Sequence, residues 1–245
     1  MTAPSGRLAI PDQADRDDLG AFTARVVRLD QVAPVRLRAQ RRGDERYVVA
    51  WAPTPFDALA TRSVRGEVEP ADLTVSASGL LTALAVDRAP TIDPGPQLPA
   101  VLGDLPPEDG WTVVEDVPAA ELDAIAERGL AVARENAGPL GPPASLLDQT
   151  VLTAQAGAAP AGASGAAGAP GAGGTAGAPG TPAAGPGAVK VPLRCLFALS
   201  GMGFLGAGAG TDIVRVSATG SWLRLDARFG AIVRRRVTAL PLIIA

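Results

Sequence analysis

Residues 213–226 read IVRVSATGSWLRLD, two runs of alternating apolar and polar side chains on either side of a Thr–Gly pair. Alternation with a period of two is typical of half-buried strands, and a short turn between two such runs predicts a β-hairpin. With the turn at residues 219–220, Arg215 would lie opposite Arg224 on one face, with Trp222 beside them. Two arginines that face each other repel, so an anion or an acidic group is expected nearby.

The rest of the chain mixes helical and strand patterns. A helix is expected after Asp12, because apolar residues recur at helical spacing over residues 19–29. A second hairpin is predicted over residues 35–51, with its turn at Gly43. Because strands and helices do not alternate regularly, the pattern indicates an α+β fold of helices and antiparallel hairpins. The other predicted elements are a strand over 59–68, a helix over 70–86, a strand over 112–117, and helices over 118–137, 145–153 and 192–200.

An Ala-, Gly- and Pro-rich stretch over residues 154–189 divides the chain. It contains 15 Ala, 11 Gly and 5 Pro in 36 residues and carries no charge. Because it has no large side chains to bury, it cannot offset its chain entropy, and a disordered linker is predicted. The linker separates an α+β main part (residues 1–153) from a helix plus β-hairpin segment (residues 190–245). That segment is small and apolar, so it is predicted to dock on the main part and form one compact unit with a long insertion.

Formal charge is distributed unevenly along the chain. Residues 90–153 carry 11 acidic and 2 basic side chains, whereas residues 190–245 carry 2 acidic and 8 basic ones. Opposite charges favour docking of one segment on the other, and a partner of either sign is equally compatible. The candidate binding face consists of basic and aromatic residues of the last segment, namely Arg215, Trp222, Arg224, Arg228, Arg234, Arg235 and Arg236.

This candidate face has three interpretations. Its arginines could form ordinary ion pairs with the acidic middle segment, for instance with Asp116 or Glu121. They could instead bind phosphate or nucleic acid, with Trp222 stacking on a base, or they could contact a protein partner. A second arginine-rich strand, over residues 36–46, is expected to be a solvated strand face.

The composition excludes several classes of active site. The chain has no His, which rules out Ser-His-Asp and Cys-His catalysis and every His-ligated metal site. The single cysteine, Cys195, lies among apolar residues and is expected to be a buried, unreactive thiol. Residues 201–206 read GMGFLG, but they follow a predicted helix and precede a strand, the reverse of a dinucleotide-binding turn. No cofactor or metal site is therefore predicted, although a carboxylate-based enzyme stays open.

The sequence favours a non-enzymatic protein that binds a macromolecule, as an adaptor or regulatory protein. A nucleic-acid binder that uses the same face is the first alternative, and a His-independent enzyme with a carboxylate site is the second. No apolar run is long enough for a secretory signal or a membrane span, which predicts a cytoplasmic protein. Lys190 is the only lysine beside 21 arginines, a bias typical of a high-GC bacterial genome.

Overall fold

An eight-stranded sheet with helices on one side organises the chain. The computed structural model describes residues 6–99, 103–139, 141–155, 188–205 and 211–236. The helices are α1 (Gln13–Leu29), α2 (Ala77–Asp87), α3 (Ala119–Glu135), α4 (Ala144–Leu147) and α5 (Leu193–Gly201). The strands are β1 (Arg7–Ala9), β2 (Pro34–Arg42), β3 (Glu45–Thr54), β4 (Ala58–Arg65), β5 (Glu67–Glu69), β6 (Asp72–Ser76), β7 (Thr91–Ile92), β8 (Thr112–Pro118), β9 (Thr150–Ala154), β10 (Val189–Pro192), β11 (Ile213–Thr219), β12 (Trp222–Ala227) and β13 (Gly230–Arg235).

The large sheet has the strand order β6-β2-β3-β4-β13-β12-β11-β8, and all its neighbours are antiparallel. Two smaller sheets, β5-β1-β7 and β10-β9, lie beside it. The first four strands come from residues before 77 and the last four from residues after 111. These two halves join where β4 pairs with β13, with Ala60 opposite Ile232. We call this junction the seam.

Each half of the sheet is built in the same way. A short strand leads into a helix and then into a three-stranded meander, as β1-α1-β2-β3-β4 in the first half and β10-α5-β11-β12-β13 in the second. The fourth strand of each half, β6 or β8, leads directly into a further helix, α2 or α3. Helices α1 and α2 contact each other, as do α3 and α5, so each half carries one helix pair.

The core lies between the helices and one face of the sheet, which we call the inner face. Alternate residues of every strand in the large sheet point into it, for example Leu37 of β2 and Leu225 of β12, both fully buried. From the helix side, Leu19 and Phe22 of α1 are fully buried in the same cluster. Helix α1 begins where predicted, because the Asp12 carboxylate accepts hydrogen bonds from the main-chain N–H groups of the first turn.

The structure confirms the α+β class with its helices and antiparallel strands, and it also corrects two predicted elements. The helix predicted over 70–86 is strand β6 followed by α2, and Ser76 between them is the N-cap that accepts from the N–H of Gly79. The helix predicted over 145–153 is only the short α4, followed by β9. In both stretches β-branched residues favour a strand over a helix, namely Thr74 and Val75 in β6 and Thr150, Val151 and Thr153 in β9.

Most of the predicted linker, 154–189, falls outside the described ranges. Its two described ends are paired, since Ala154 of β9 lies opposite Val189 of β10. Among the helices that the structure describes, none is long and apolar enough to cross a membrane.

Candidate functional site

The face of the large sheet that points away from the helices, here called the open face, carries all three tryptophans of the chain. Trp51 of β3 and Trp222 of β12 are each 8 % exposed, and Trp111 precedes β8. They belong to an apolar cluster separate from the main core. Its other members are Val49, Leu59, Leu105 and Val233. A second, smaller core on the solvent side of a sheet indicates a surface that is more than a solvated strand face.

A groove of about 760 Å³ runs over the seam on the open face. Its floor is low because the two seam strands and their neighbours carry small side chains there, among them Thr61, Ser63, Ala231 and Ser217. Larger side chains and a proline-rich loop form the walls. They include Arg38, Trp51, Arg224, Pro106, Glu108 and Trp111.

Two hydroxyl groups on the groove floor lack a hydrogen-bond partner in the described part of the chain. Thr61 and Ser63 both come from β4, and their oxygens are shielded from solvent without any bond to the protein. Thr61 is 4 % exposed. A shielded hydroxyl without a partner costs about 1–3 kcal/mol, and nearly all such groups in folded proteins are paired. This pair therefore marks the floor as a place for a ligand group.

Arginines of the candidate face are held against tryptophan rings on the open face. The Arg224 guanidinium lies 5.8 Å from the centre of the Trp111 ring, and that of Arg235 lies 5.2 Å from the Trp222 ring. Each arginine also has a carboxylate partner. Arg224 Nε donates to Asp226 at 2.8 Å, and Arg235 donates to Asp104 at 3.0 Å. Aromatic rings and ion-paired arginines thus lie side by side on the open face.

The predicted pairing of Arg215 with Arg224 is wrong. In the structure Arg215 lies opposite Asp226, and Arg224 lies opposite Ser217. The turn is one residue further along than predicted, and this shifts the strand register by two positions without changing which side chains share a face. The repulsion expected between the two arginines therefore does not arise.

Arg215 has an acidic partner from the middle segment of the chain. Its Nε donates to Asp116 Oδ1 at 2.9 Å, and a second bond of 3.1 Å makes the contact bidentate. The hydrogen bond from Arg215 lowers the pKa of the Asp116 carboxyl, and the same contact raises the pKa of Arg215. The ion-pair interpretation thus describes this residue.

The remaining arginines of the candidate face do not all lie on the open face. Arg228 is exposed beside Phe229 and approaches Asp212 at 3.6 Å. Arg234 lies on the inner side, where it contacts Asp57 at 2.9 Å. For Arg236 the main-chain N–H donates to the carbonyl of Ser221 at 2.6 Å. The residues that share the open face are thus Arg215, Trp222, Arg224 and Arg235.

The inner side holds an ion-pair cluster around Arg234. Arg194 of α5 is 9 % exposed and donates toward Asp148 at 2.7 Å and Asp57 at 3.6 Å. These contacts tie α5 to the β3–β4 turn and to the end of α4. Cys195 lies next to the cluster, and its burial raises the pKa of the thiol to about 12. The thiol is therefore protonated and unreactive at neutral pH.

Carboxylates in the described ranges do not converge into a metal site, because no group of three or more potential ligand side chains is found there. Asp226 and Asp116 of the open face are each held by an arginine. A carboxylate held in such an ion pair is not poised for the proton transfer that general acid–base chemistry needs.

Sequence reasoning found the Arg–Trp hairpin but missed the groove. Thr61 and Ser63 alternate with inner-face residues in a strand that was predicted, so their shared face could be read from the sequence. Their place beside Ala231 depends on the pairing of β4 with β13, two strands about 170 positions apart in sequence. No local sequence pattern indicates a pairing between strands so far apart in the chain.

Two family models match the sequence. One is described as a domain of unknown function (DUF8010) and matches residues 3–102, and the other as a domain of unknown function (DUF8185) and matches residues 106–239. No protein of curated function matches the chain.

Several solved structures share the fold. The chain is similar to the DNA polymerase III beta subunit of Caulobacter crescentus, with 16% identity and a TM-score of 0.52, covering 96% of this chain and 66% of that one. It is also similar to a protein from Eubacterium rectale described as a DNA polymerase III beta subunit, with 8% identity and a TM-score of 0.54, covering 98% and 67%. The DNA polymerase sliding clamp of Pseudomonas aeruginosa gives 12% identity and a TM-score of 0.51, covering 98% and 66%. The chain thus has a sliding-clamp-like fold and spans about two thirds of the length of these proteins.

Proposed function

The chain belongs to the family described as a domain of unknown function (DUF8185), and we propose that it is a non-enzymatic protein that binds a protein partner on the open face of its sheet. The observation that carries this proposal is the groove over the seam, which is lined by tryptophan side chains and by arginines, one of which lies against a tryptophan ring. Tryptophan, tyrosine and arginine are the residues that contribute most binding energy at protein interfaces.

The balance of charge favours a protein partner over nucleic acid. Protein–DNA interfaces are much more positively charged than protein–protein interfaces, whereas the open-face arginines Arg215, Arg224 and Arg235 each have a carboxylate partner. Helices α1 and α3 carry no excess of positive charge either. Helix α1 has three acidic and three basic residues, and α3 has four acidic and two basic ones. The groove itself is lined by five arginines and three acidic residues, so its excess of positive charge is small for a surface that binds phosphates.

Nucleic acid is the second candidate, because two arginines lie over tryptophan rings that could also stack on bases. The similar structures are sliding clamps and beta subunits of DNA polymerase III, which makes both classes of partner reasonable for this fold. The two candidates differ in their expected response to salt and nuclease.

The proposal is tested with the tagged full chain and extract of its own cells. The double variant Arg215→Glu/Arg224→Glu reverses charge on the open face, and the matched control Arg128→Glu/Arg134→Glu reverses two exposed charges on α3. We expect a defined protein to be retained by the wild type and the control after nuclease treatment. Retention by the open-face variant should fall at least tenfold.

Equal retention of that protein by all three chains would contradict the proposal. Material that is released by nuclease or by moderate salt, and lost only from the open-face variant, would instead support nucleic-acid binding. Unfolding curves of each variant establish that both are folded.

A further inference from the structure

We propose that the groove over the seam binds an acidic side chain from an extended peptide segment of the partner, whose carboxylate accepts hydrogen bonds from Thr61 and Ser63. This inference rests on the proposed function and names the chemistry of the segment that the open face recognises.

The groove floor offers two hydroxyl groups as hydrogen-bond donors, those of Thr61 and Ser63. Thr61 and Ser63 lie two residues apart on β4, so both side chains point to the open face, roughly 7 Å apart along the strand. Both oxygens are shielded from solvent and have no bond to the described protein. Hydroxyl protons can rotate toward a common acceptor, and one carboxylate with two oxygens and several lone pairs can accept from both.

The charges around the floor decide between an acceptor and a donor as the ligand group. In the register of the sheet, Arg38 of β2 and Val49 of β3 lie in one row with Ser63, which places Arg38 about 10 Å from Ser63 at the level of the backbone. An arginine side chain spans most of that distance. Arg224 lines the groove from the other side of the seam but is paired with Asp226. Arg41 and Arg42 also line the groove, and neither has a carboxylate partner among the described residues. A negative group is therefore favoured on the floor, and an ammonium group is not.

The edge of the groove formed by the proline-rich loop, here called the lip, carries negative charge. Glu108 and Asp109 lie in the proline-rich loop, and Glu108 is only loosely paired with Arg38 at 3.8 Å. An incoming carboxylate at the floor can replace Glu108 as an ion-pair partner of Arg38, and the carboxylates of the loop then remain solvated. A segment with acidic residues throughout would be repelled at this lip, so acidic side chains should alternate with uncharged ones.

The shape of the groove favours a peptide over a small anion. A volume of about 760 Å³ far exceeds that of one carboxylate or phosphate, and Trp51 and Trp111 line it beside the hydroxyls. In an extended peptide every second side chain points the same way, about 7 Å apart. An apolar residue two positions from the acidic one therefore points into the groove as well, within reach of a tryptophan ring.

The test measures binding of labelled peptides to the full chain by fluorescence polarisation. The probe is the nonapeptide Glu-Thr-Leu-Thr-Glu-Thr-Leu-Thr-Glu, in which Glu and Leu alternate on one side of the extended chain, and its control replaces every Glu with Gln. The decisive variant is Thr61→Val/Ser63→Ala, which removes both hydroxyls with little change of shape. Its matched control, Ser145→Ala/Thr150→Val, removes two exposed hydroxyls outside the groove.

We expect the Glu peptide to bind at least tenfold more tightly than the Gln peptide. The floor variant should lose about tenfold or more, as hydrogen bonds to a charged group predict, and the control variant should lose nothing. Because the removed hydroxyls have no hydrogen-bond partner among the described residues, the floor variant should unfold no more easily than the wild type. Loss of binding would therefore not reflect loss of folding.

Equal binding of the Glu and Gln peptides, or an unaffected floor variant, would overturn the inference. Inorganic phosphate that binds as tightly as the peptide would overturn it in favour of a small-anion site. A single-stranded oligonucleotide that binds more tightly than the peptide would overturn it in favour of nucleic acid. If only the Arg215→Glu/Arg224→Glu variant loses the protein partner, the proposed function stands and the acidic-segment inference fails. If the Glu peptide binds as expected but the Arg215→Glu/Arg224→Glu variant still retains the protein partner, the acidic-segment inference stands and the proposed function fails.

Discussion

Gly66, which connects β4 to β5, should tolerate no larger residue. A Cβ atom at this position would lie 2.5 Å from the main-chain oxygen of Ala9 and 3.1 Å from Ile10. The oxygen belongs to β1, which pairs with β5, so it cannot move away without disturbing that pairing. The N–H of Gly66 also donates to the carbonyl of Arg46 at 3.0 Å, which fixes the position of Gly66 from the other side. Gly66→Ala is therefore expected to destabilise the protein by about 1–3 kcal/mol, the range for overpacking a well-packed site.

The control is Gly20→Ala in the middle of α1, where a Cβ atom would meet nothing within 4 Å. Alanine is about 0.8–1.0 kcal/mol more favourable than glycine inside a helix, so this variant should be more stable than the wild type. For a protein of this size 1 kcal/mol shifts the melting temperature by roughly 2–4 °C. Thermal and urea unfolding, followed by circular dichroism, should move in opposite directions for the two variants. A Gly66→Ala protein as stable as the wild type would refute the predicted clash with β1.

Three further predictions concern assembly, the thiol and pH. Chains of residues 1–153 and 190–245, expressed separately, should associate and co-elute because β13 pairs with β4, and independent elution would contradict this. Cys195, whose pKa burial raises to about 12, should resist alkylation in the native protein and react fast in denaturant, as mass spectrometry would show. A hydrogen bond from Arg36 lowers the pKa of the Asp72 carboxyl, so this contact stabilises the fold above the unfolded pKa of about 3.9 and is lost as pH falls through the folded value. The difference in free energy of unfolding between wild type and Asp72→Asn should therefore shrink in acid, and a pH-independent difference would contradict the assignment.

Local signals account for the parts of the fold that sequence reasoning predicted. Helix α1 has an acidic N-cap and a regular apolar stripe, and the β2–β3 hairpin has clean alternation around Gly43, whose φ of 62° suits glycine. The β11–β12 hairpin was predicted in the wrong register, since a shift by two keeps its apolar residues on the inner face. The apolar pattern therefore cannot distinguish the two registers, and only the turn geometry decides.

The parts that could not be predicted depend on long-range pairing. Strand β13 is a short apolar run ahead of Arg234, and as an isolated sequence it resembles the start of a basic segment. Its partner β4 lies in the other half of the sheet, and the groove exists only because small side chains of both strands meet at the seam. Likewise, Trp111 follows a proline-rich loop that has no periodic pattern, so its contact with Arg224 could not be inferred.

The pairing of Ala154 with Val189 gives the molecule a natural attachment point. Residues 154 and 189 lie at neighbouring positions, about 5 Å apart as for any antiparallel pair. A segment inserted between them needs only to have its two ends close together. Both a tight turn and a complete fluorescent protein can meet this requirement. The residues that line the groove belong to other elements, so a reporter or a surface anchor placed there would leave the open face accessible for binding measurements.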